Sequence, residues 1–426
     1  MKILHTADWH LGKRLDDRSR MEEQQVVMQE ICEIADREEA DVVLVAGDLF
    51  DTFNPPTEAV DLLYQTLKRL TAEGRRPVIA IAGNHDSPDR IEAPDPLARE
   101  CGIIFAGYPH TLIPPFALDS GLRVVQSDKG FVELQLPGNE TPLRLLFTPY
   151  ANEYRLRTFL GHEESEEELR LLLQERWQQL ADSYCDRRGV NILLSHLFMV
   201  KRGDKLPEEP EEEKPILQVG GAQVLYTGNI PRQIQYTALG HLHRMHRVDA
   251  SSTKLSTSLP ASTTLPATTS VISSPVFYSG SPLSYSFAEA GQQKHVLMIE
   301  VEPGEAAVVR EVPLTRVKRL LRKRAHGVDE ALQWLSENSD ALVELTIVTD
   351  TFLTALERRA LNAAHSGIVT IIPEVADVEN LVGSGQKQID LSRGMENLFR
   401  DYFHHEKGQE PNDEIMLLFN EIMAEE

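Results

Sequence analysis

Five segments of the sequence end in residues that bind metal ions or transfer protons. They are Asp8-Trp9-His10, Gly47-Asp48 with Asp51, Gly83-Asn84-His85-Asp86, Ser195-His196 and Gly240-His241-Leu242-His243. Each follows a short apolar run of the kind that forms a buried strand. Carboxylate, amide and imidazole groups together suit Mn²⁺, Fe²⁺ or Zn²⁺ better than Ca²⁺, which takes oxygen ligands only. The pattern therefore indicates a metal site built from five turns.

The candidate ligands are too numerous for one tetrahedral ion. They are Asp8, His10, Asp48, Asn84, His196, His241 and His243. A carboxylate can bridge two ions about 3.5 to 4 Å apart, and such a pair clamps the attacking and leaving oxygens of a phosphoryl displacement. Any one of these residues alone is more often structural than a ligand. Their joint order predicts a dinuclear phosphoesterase centre.

Alternating strands and helices must position these residues. Apolar patterns predict strands at Ile3–Thr6, Val42–Ala46, the run ending at Ala82, Val190–Leu194 and Tyr236–Leu239, and helices at Glu22–Glu39, from Thr57 to Gly74, and around Glu163–Ala181. In an open α/β sheet, ligands bind beyond the carboxyl ends of the strands, so distant turns can converge. We therefore expect an α/β domain over residues 1–310.

Composition and charge limit the class of protein. The chain has 426 residues, 41% of them hydrophobic and 26% charged, which excludes a disordered chain. Its net charge is −23, so it lacks the excess of basic residues that is typical of a protein that binds nucleic acid by itself. Either nucleic acid is not the substrate, or a partner or a local patch supplies positive charge. The short apolar run at the amino terminus predicts neither a signal peptide nor a membrane span, so a cytoplasmic protein is expected.

The carboxyl-terminal third differs in character. A basic run at 316–326 is followed by a predicted helix (Val328–Glu337), strand (Leu342–Val348), helix (Phe352–Ala364) and strand (Ile368–Ile372). These predict a small α/β domain at 311–376. A polar linker is predicted at 377–392. Two inserts, the charged 201–215 and the Ser/Thr-rich 251–274, are assigned no function.

Two short amphipathic helices are predicted at 393–426. Apolar residues recur at helical spacing on one face of each. These residues are Leu398, Phe399, Tyr402 and Phe403 in the first helix and Ile415, Leu418, Phe419 and Ile422 in the second. The apolar faces either bind a partner or pack back on their own domain.

The motifs resemble those of a known family. DWHLG from Asp8, GDLFDTFNPP from Gly47, GNHDSPDR from Gly83 and ALGHLHR from Ala238 are similar to those of the calcineurin-like metallophosphoesterase superfamily. Within it they resemble the bacterial nuclease subunits that are counterparts of the eukaryotic and archaeal double-strand-break repair nuclease. The resemblance extends over nearly the whole chain. It implies a four-layer α-β-β-α sandwich instead of a single open sheet.

The resemblance implies a role for each site residue. Asp8, His10, Asp48 and His243 would bind one Mn²⁺, and Asp48, Asn84, His196 and His241 a second, with Mg²⁺, Fe²⁺ or Zn²⁺ as alternative metals. His85 would stabilise charge on the phosphate and protonate the leaving oxygen. Asp86 would either orient His85 or cap the turn. Asp51 would either support the site or cap its own loop, and Trp9 is expected to pack.

The implied activity is hydrolysis of phosphodiester bonds at DNA ends. It would comprise a 3′ to 5′ exonuclease on double strands and an endonuclease on hairpins or single strands. The implied partners are DNA, an SMC-like ABC ATPase that the two carboxyl-terminal helices would bind, and a second copy of the chain bound through the nuclease domain. Residues 311–376 would form a capping domain. The alternatives are a small-molecule phosphodiesterase of the same superfamily and a non-catalytic DNA-end tether.

Overall fold

The structure is a computed structural model. It describes residues 1–156, 165–204, 224–248, 274–349 and 353–375, together with Phe399, Arg400, Phe403, Pro411, Met416 and Phe419. Contacts divide the chain into two compact units. The first contains Met1–Lys323, Ser336–Glu344 and His365–Thr370, and the second contains Arg324–Leu335, Leu345–Ala364 and Ile371–Glu426.

Strands and helices are interspersed along the chain, as predicted for an α/β domain, although several strands follow one another without a helix between them. The strands are β1 (Lys2–Thr6), β2 (Arg14–Leu15), β3 (Arg18–Ser19), β4 (Val42–Ala46), β5 (Val78–Ile81), β6 (Ile103–Ala106), β7 (Arg123–Asp128), β8 (Phe131–Gln135), β9 (Leu143–Thr148), β10 (Val190–His196), β11 (Met199–Val200), β12 (Leu225–Tyr226), β13 (Tyr236–Gly240), β14 (His246–Arg247), β15 (Val276–Tyr278), β16 (His295–Glu300), β17 (Val308–Pro313), β18 (Leu320–His326), β19 (Leu342–Thr349) and β20 (Ile368–Val375). The helices are α1 (Met21–Arg37), α2 (Thr57–Leu70), α3 (Pro88–Glu92), α4 (Asp95–Arg99), α5 (Glu153–Leu156), α6 (Ser165–Tyr184), α7 (Val328–Glu337) and α8 (Ala355–Ala364).

Two large sheets carry the motif strands. The first has the order β17-β16-β1-β4-β5-β6 and the second the order β14-β15-β13-β10-β9-β8-β7. Strands β1, β4, β5 and β6 run parallel in the first sheet, and β9, β10, β13 and β15 run parallel in the second. In each sheet, the carboxyl ends of the four parallel strands therefore lie along the same side.

The sheets pack face to face between layers of helices. Successive side chains of a strand point to opposite faces. Leu4 thus packs in a core with α1 and α2, whereas Ile3 packs in a core shared with Leu145 of the second sheet. On the outer face of that sheet, Leu146 packs with Trp177 of α6. These cores confirm the α-β-β-α sandwich, and the single open sheet considered first is wrong because the motif strands are divided between two sheets.

The smaller predictions had mixed outcomes. The bounds of β4 are as predicted, and the small sheet β18-β19-β20 contains the two strands predicted after residue 340. The helix predicted at Phe352–Ala364 begins at Ala355. Residues 205–223, 249–273 and 376–398 lie outside the described residues, and so do Leu398, Tyr402, Ile415, Leu418 and Ile422. Among the helices that the structure describes, none has the length and apolar character needed to cross a bilayer.

Candidate metal centre

The five polar motifs meet at one end of the sandwich. Those that follow β1, β4 and β5 come from the first sheet, and those at the ends of β10 and β13 come from the second. Backbone hydrogen bonds join the first two turns, from Asp8 N to Gly47 O (3.0 Å) and from His10 N to Asp48 O (2.9 Å). The amide of His241 donates to Asp8 Oδ1 over 2.8 Å, which joins the two sheets. The turns therefore converge across the sandwich.

The backbone turns sharply at the candidate ligands. Asp8, His10, Asp48 and His241 have φ angles of 53°, 43°, 48° and 104°, which non-glycine residues rarely adopt. Such conformations cost about 1 to 3 kcal/mol each and cluster at functional sites. Gly47 has a φ of 88°, and a Cβ there would overlap the His196 ring. The tight turns thus place the polar side chains against one another.

One half of the cluster contains Asp8, His10, Asp48 and His243. Ligand atoms of Asp8, His10 and Asp48 lie within 4.8 Å of one another. The Nε2 atoms of His10 and His243 are 2.9 Å apart, and His10 Nε2 is 3.6 Å from Asp48 Oδ2. A separation of 2.9 Å suits two imidazole nitrogens that each bind the same ion at about 2.1 Å.

The other half contains Asn84, His196, His241 and again Asp48. Asn84 Oδ1 lies 2.9 Å from His196 Nε2 and 3.1 Å from His241 Nδ1. Asp48 Oδ2 is 3.4 Å from His196 Nε2. The other ring nitrogen of His196, Nδ1, donates to the carbonyl of Ala46 over 2.8 Å, which fixes the ring. Asp48 therefore lies between both halves.

Unpaired buried oxygens show that the cluster fits cations. Asp8 Oδ2 and Asp48 Oδ2 are buried and have no hydrogen-bond partner among the residues that the structure describes. A buried carboxylate oxygen without a partner is costly unless a cation neutralises it. Imidazole nitrogens of His10 and His196 lie 3.6 and 3.4 Å from Asp48 Oδ2, and His196 Nδ1 lies 3.7 Å from the other oxygen of Asp8. The seven predicted ligands, all of them buried, therefore form a donor set that fits two divalent ions.

Proton affinities in the cluster follow from burial and charge. Burial raises the pKa of Asp8 to about 7, against the effect of the His196 and His243 imidazoles. Burial acts in the same direction on Asp48, but His196, His85 and His10 hold its pKa well below the ordinary value. Burial lowers the pKa of His196, yet Asp48 raises it to about 9. Because metal ligands must be deprotonated, metal binding here releases protons.

His85 lies at the edge of the cluster. Its amide donates to Asp48 Oδ1 over 2.9 Å, and its Nδ1 donates to the carbonyl of Asp51 over 2.8 Å. Its Nε2 is buried, without a hydrogen-bond partner in the described part of the chain. Ligand atoms of His10, Asp51 and His85 also lie within 4.8 Å of one another. The ring is thus held by one nitrogen and presents the other to the site.

The Asp86 carboxylate holds two motif turns together. It accepts hydrogen bonds from the amides of Leu49 (3.0 Å), Phe50 (2.9 Å) and Gly83 (2.8 Å). No hydrogen bond joins it to His85 within the described ranges. Burial raises the pKa of Asp86 to about 6, although the three amides oppose this. These contacts are those of a loop cap.

Asp51 and Trp9 were also singled out in the sequence. Asp51 is paired with Lys13, whose Nζ lies 3.3 Å from Asp51 Oδ1. Its backbone carbonyl accepts the hydrogen bond from His85, and its Oδ1 lies 3.7 Å from His10 Nδ1. Trp9 is fully buried and donates from Nε1 to Thr6 Oγ1 over 2.9 Å, which confirms that it packs.

Two supporting residues gave no signal in the sequence. The Arg155 guanidinium is buried and donates to the carbonyls of Gly83 (2.7 Å) and Asp86 (2.8 Å). The Gln24 amide donates to the carbonyl of His10 and accepts from the amide of Gly12, each over 3.0 Å. Both hold a motif turn through its backbone, so only their position in the fold reveals them.

A buried ion pair supports His243. Glu289 Oε1 lies 3.6 Å from His243 Nδ1, and the other carboxylate oxygen pairs with the ammonium of Lys294. Lys294 also donates to the carbonyl of His243 over 3.0 Å. Burial raises the pKa of Glu289, but Lys294 and His243 lower it to about 2. The pair fixes both the ring and the backbone of this candidate ligand.

Changing Glu289 to Gln tests that support. We expect Mn²⁺ affinity to fall about 10- to 100-fold, because the carboxylate orients a ligating imidazole. The free energy of unfolding should fall by about 3 to 5 kcal/mol, because Lys294 is left buried and unpaired. The Glu289 pKa is depressed from 4.5 to about 2, so this stabilisation is present above pH 4.5 and is lost as the pH falls towards 2.

Urea unfolding and Mn²⁺ titration measure the two effects. The double variant Glu289→Gln with Lys294→Met should regain stability but not metal affinity. Glu300→Gln, an exposed change at the end of β16, is the matched control. Unchanged metal affinity in Glu289→Gln would contradict the positioning role.

Comparisons with known proteins agree with this geometry. Residues 1–245 match the family model described as Calcineurin-like phosphoesterase. A protein of Bacillus subtilis (strain 168), named as the SbcD component of the nuclease SbcCD, is 35% identical over 432 residues, covering 100% of this chain and 98% of that protein. Proteins of the same name from Rhodobacter capsulatus (30% identical, 77% of this chain, 72% of that protein) and Staphylococcus epidermidis (28% identical, 75% and 71%) are also similar.

Proposed function

Because the chain belongs to the calcineurin-like phosphoesterase family, with a full-length relative named as the SbcD component of the nuclease SbcCD, we propose that it is a DNA nuclease of the SbcCD type. It hydrolyses phosphodiester bonds at DNA ends, as a 3′ to 5′ exonuclease on double strands and an endonuclease on hairpins or single strands. The convergence of Asp8, His10, Asp48, Asn84, His196, His241 and His243 carries this proposal.

The ligand set is proposed to hold two Mn²⁺ ions. One is bound by Asp8, His10, Asp48 and His243, and the other by Asp48, Asn84, His196 and His241, with Asp48 shared. The mixed oxygen and nitrogen donors are suited to Mn²⁺ and could also bind Fe²⁺, Zn²⁺ or Mg²⁺. When bound, such a pair lowers the pKa of water and neutralises charge on the phosphate.

His85 is the proposed general acid. Its Nδ1 is held by the carbonyl of Asp51, so in the imidazolium form its Nε2 hydrogen is free to approach the substrate. It stabilises charge on the scissile phosphate and protonates the leaving ribose oxygen. Asp86 acts as a positioning residue, because it holds the turn that carries His85 against the turn after β4.

DNA affinity is proposed to come mainly from a partner. The basic run at 316–326 is largely neutralised, since Arg322 lies 2.6 Å from Glu344, Arg324 lies 2.7 Å from Glu374, and Arg316 pairs with Glu33. With a net charge of −23, the chain needs positive charge from elsewhere. The proposed source is the SMC-like ABC ATPase SbcC, with smaller local patches. Residues 311–376 are the proposed capping domain, and a second copy binds through the nuclease domain.

The carboxyl-terminal residues are proposed to bind the coiled coil of SbcC. The rings of Phe399 and Phe419 are stacked 4.3 Å apart, and Phe403 lies 6.0 Å from Phe399. The three described phenylalanines of the two predicted segments therefore contact one another.

Changing Phe403 to Asp should weaken SbcC binding about tenfold or more, because an aromatic side chain of the proposed interface is replaced by a charge. A pull-down with SbcC compares the binding of the wild-type chain and the variant. Leu356→Asp, at an exposed position of α8, is the control. Equal SbcC binding by wild type and Phe403→Asp would contradict this role.

The polarity of cleavage tests the proposed activity. Duplex DNA carrying phosphorothioate links at either its 3′ or its 5′ ends is incubated with Mn²⁺, with and without SbcC and ATP. Protection by the 3′ links alone is the expected result. Hydrolysis of small phosphodiesters with no action on DNA, even beside SbcC, would favour the small-molecule alternative. The proposed setting is DNA repair, recombination and replication in the cytoplasm at the nucleoid.

A further inference from the structure

A polar cavity of about 340 Å³ lies directly beside the metal centre. Its lining includes His243, Arg244, Gln293, Lys294 and His295. His243 thus belongs to both the candidate ligand set and this cavity. We propose that the cavity binds a backbone phosphate of the DNA strand, next to the phosphate that is cleaved. This inference rests on the proposed function, because it assigns a second phosphate to the same substrate.

The charges of the cavity suit an anion. None of its lining residues carries a carboxylate. Arg244 is exposed at the rim and, within the described part of the chain, has no ion-pair partner within 4 Å. Lys294 lies at the inner wall, where Glu289 neutralises its ammonium. Arg244 therefore supplies the fixed positive charge, in a planar fork that matches phosphate oxygens.

Arg244 is the side chain of the lining that can donate to a bound phosphate. His295 also lines the cavity, but its Nδ1 is shielded from solvent, so a phosphate oxygen cannot reach it where it stands. The side-chain amide of Gln293 already donates to the carbonyls of Lys294 (3.0 Å) and Leu314 (2.8 Å).

The wall of the cavity is rigid on the side of the metal centre. The carbonyl of His243 accepts from Lys294 Nζ over 3.0 Å and from the amide of Ser281 over 3.1 Å. Gly280, with a φ of 74°, lets the chain pass close to that carbonyl. A phosphate bound beside Arg244 would therefore hold the strand in a fixed relation to His243, and positioning of this kind raises the rate of a hydrolytic step.

Strand binding by Arg244 variants tests the inference. The binding of a fluorescein-labelled single strand is measured by anisotropy with Mn²⁺ at several KCl concentrations, in a His85→Gln background that keeps the strand intact. We expect Arg244→Gln to weaken binding about tenfold and to reduce the slope of log affinity against log salt by about 0.7, the value for one lost phosphate contact. Arg244→Lys should retain most of the slope.

Arg247→Gln is the matched control, because it removes the same charge from an exposed residue that does not line the cavity. An Arg244→Gln variant with wild-type affinity and slope would overturn the inference, as would a chain that binds no strand either alone or beside SbcC and ATP. Inorganic phosphate could instead compete with the strand in a way that depends on Arg244, while the salt slope of the Arg244 variant stays unchanged. That result would assign the cavity to free phosphate and would also overturn the inference. Failure of the otherwise wild-type chain to cut a strand that it binds through Arg244 would instead count against the proposed nuclease.

Discussion

Replacing Asp48 by Asn is expected to lower the rate of DNA hydrolysis by roughly 10³-fold or more, since a metal pair supplies several kcal/mol of transition-state stabilisation and each 1.36 kcal/mol is tenfold. Asp48 Oδ2 is the buried atom that lies near both His10 and His196, at 3.6 and 3.4 Å. Asparagine keeps the shape of the side chain and the acceptor for the His85 amide. The change therefore removes the shared charge and little else.

Thermal unfolding provides a second readout for Asp48→Asn. Mn²⁺ should raise the melting temperature of the wild-type chain, because the folded state binds the ions, and this rise should be much smaller in the variant. Asp61→Asn, an exposed change on α2, is the matched control for both measurements. Retained DNA cleavage with a wild-type response to Mn²⁺ would show that Asp48 is not a shared ligand.

Replacing His85 by Gln should lower kcat for DNA by about 10² to 10⁴-fold, which is the range that general acid catalysis contributes. The bound Mn²⁺ should be unchanged, because the ring is held by the carbonyl of Asp51 and is not in the proposed ligand set. A general acid matters most when the leaving oxygen is basic. Hydrolysis of bis(p-nitrophenyl) phosphate, whose leaving group needs no proton, should therefore fall much less.

Parallel kinetics on the two substrates test the role of His85. The Gln amide keeps a donor that can reach the same carbonyl, so the fold of the turn is conserved. Equal losses on DNA and on the nitrophenyl ester would mean that His85 does not act as an acid. A loss of Mn²⁺ in the variant would place His85 among the ligands, beside His10 and Asp51, with which it clusters within 4.8 Å.

The candidate centre could be predicted from the sequence because each of its motifs is a short continuous segment. Each motif directly follows an apolar strand, and a strand end is recognisable from residue types alone. Glycines such as Gly47 also mark tight turns, and its φ of 88° agrees with that reading. Strand β4 could likewise be placed to the residue, because its five apolar residues are all buried.

The division of the strands into two sheets could not be predicted from the residue pattern. Strands β5 and β10 are both fully buried and rich in apolar residues, yet they belong to different sheets. Periodicity cannot distinguish them, because a strand covered on both faces looks the same in either sheet. Only the resemblance to a known family predicted the sandwich.

The supporting residues were also missed, for a different reason. Arg155 and Gln24 contact backbone carbonyls of the motif turns, and Glu289 with Lys294 supports His243. These contacts join residues between 14 and 72 positions apart, and no spacing rule links them. Arginine, glutamine and glutamate are common on surfaces, so their burial becomes visible only in the folded chain.

Cleavage of an end-labelled DNA hairpin tests the metal-dependent nuclease most directly. The purified chain is assayed with Mn²⁺, after removal of metal by a chelator, and after Mn²⁺ is restored, each with and without SbcC and ATP. The predicted result is cleavage that is lost on chelation and recovered with Mn²⁺. Cleavage that persists in the chelator, or no cleavage with Mn²⁺ even when SbcC and ATP are present, would contradict the assignment of this cluster as a nuclease centre.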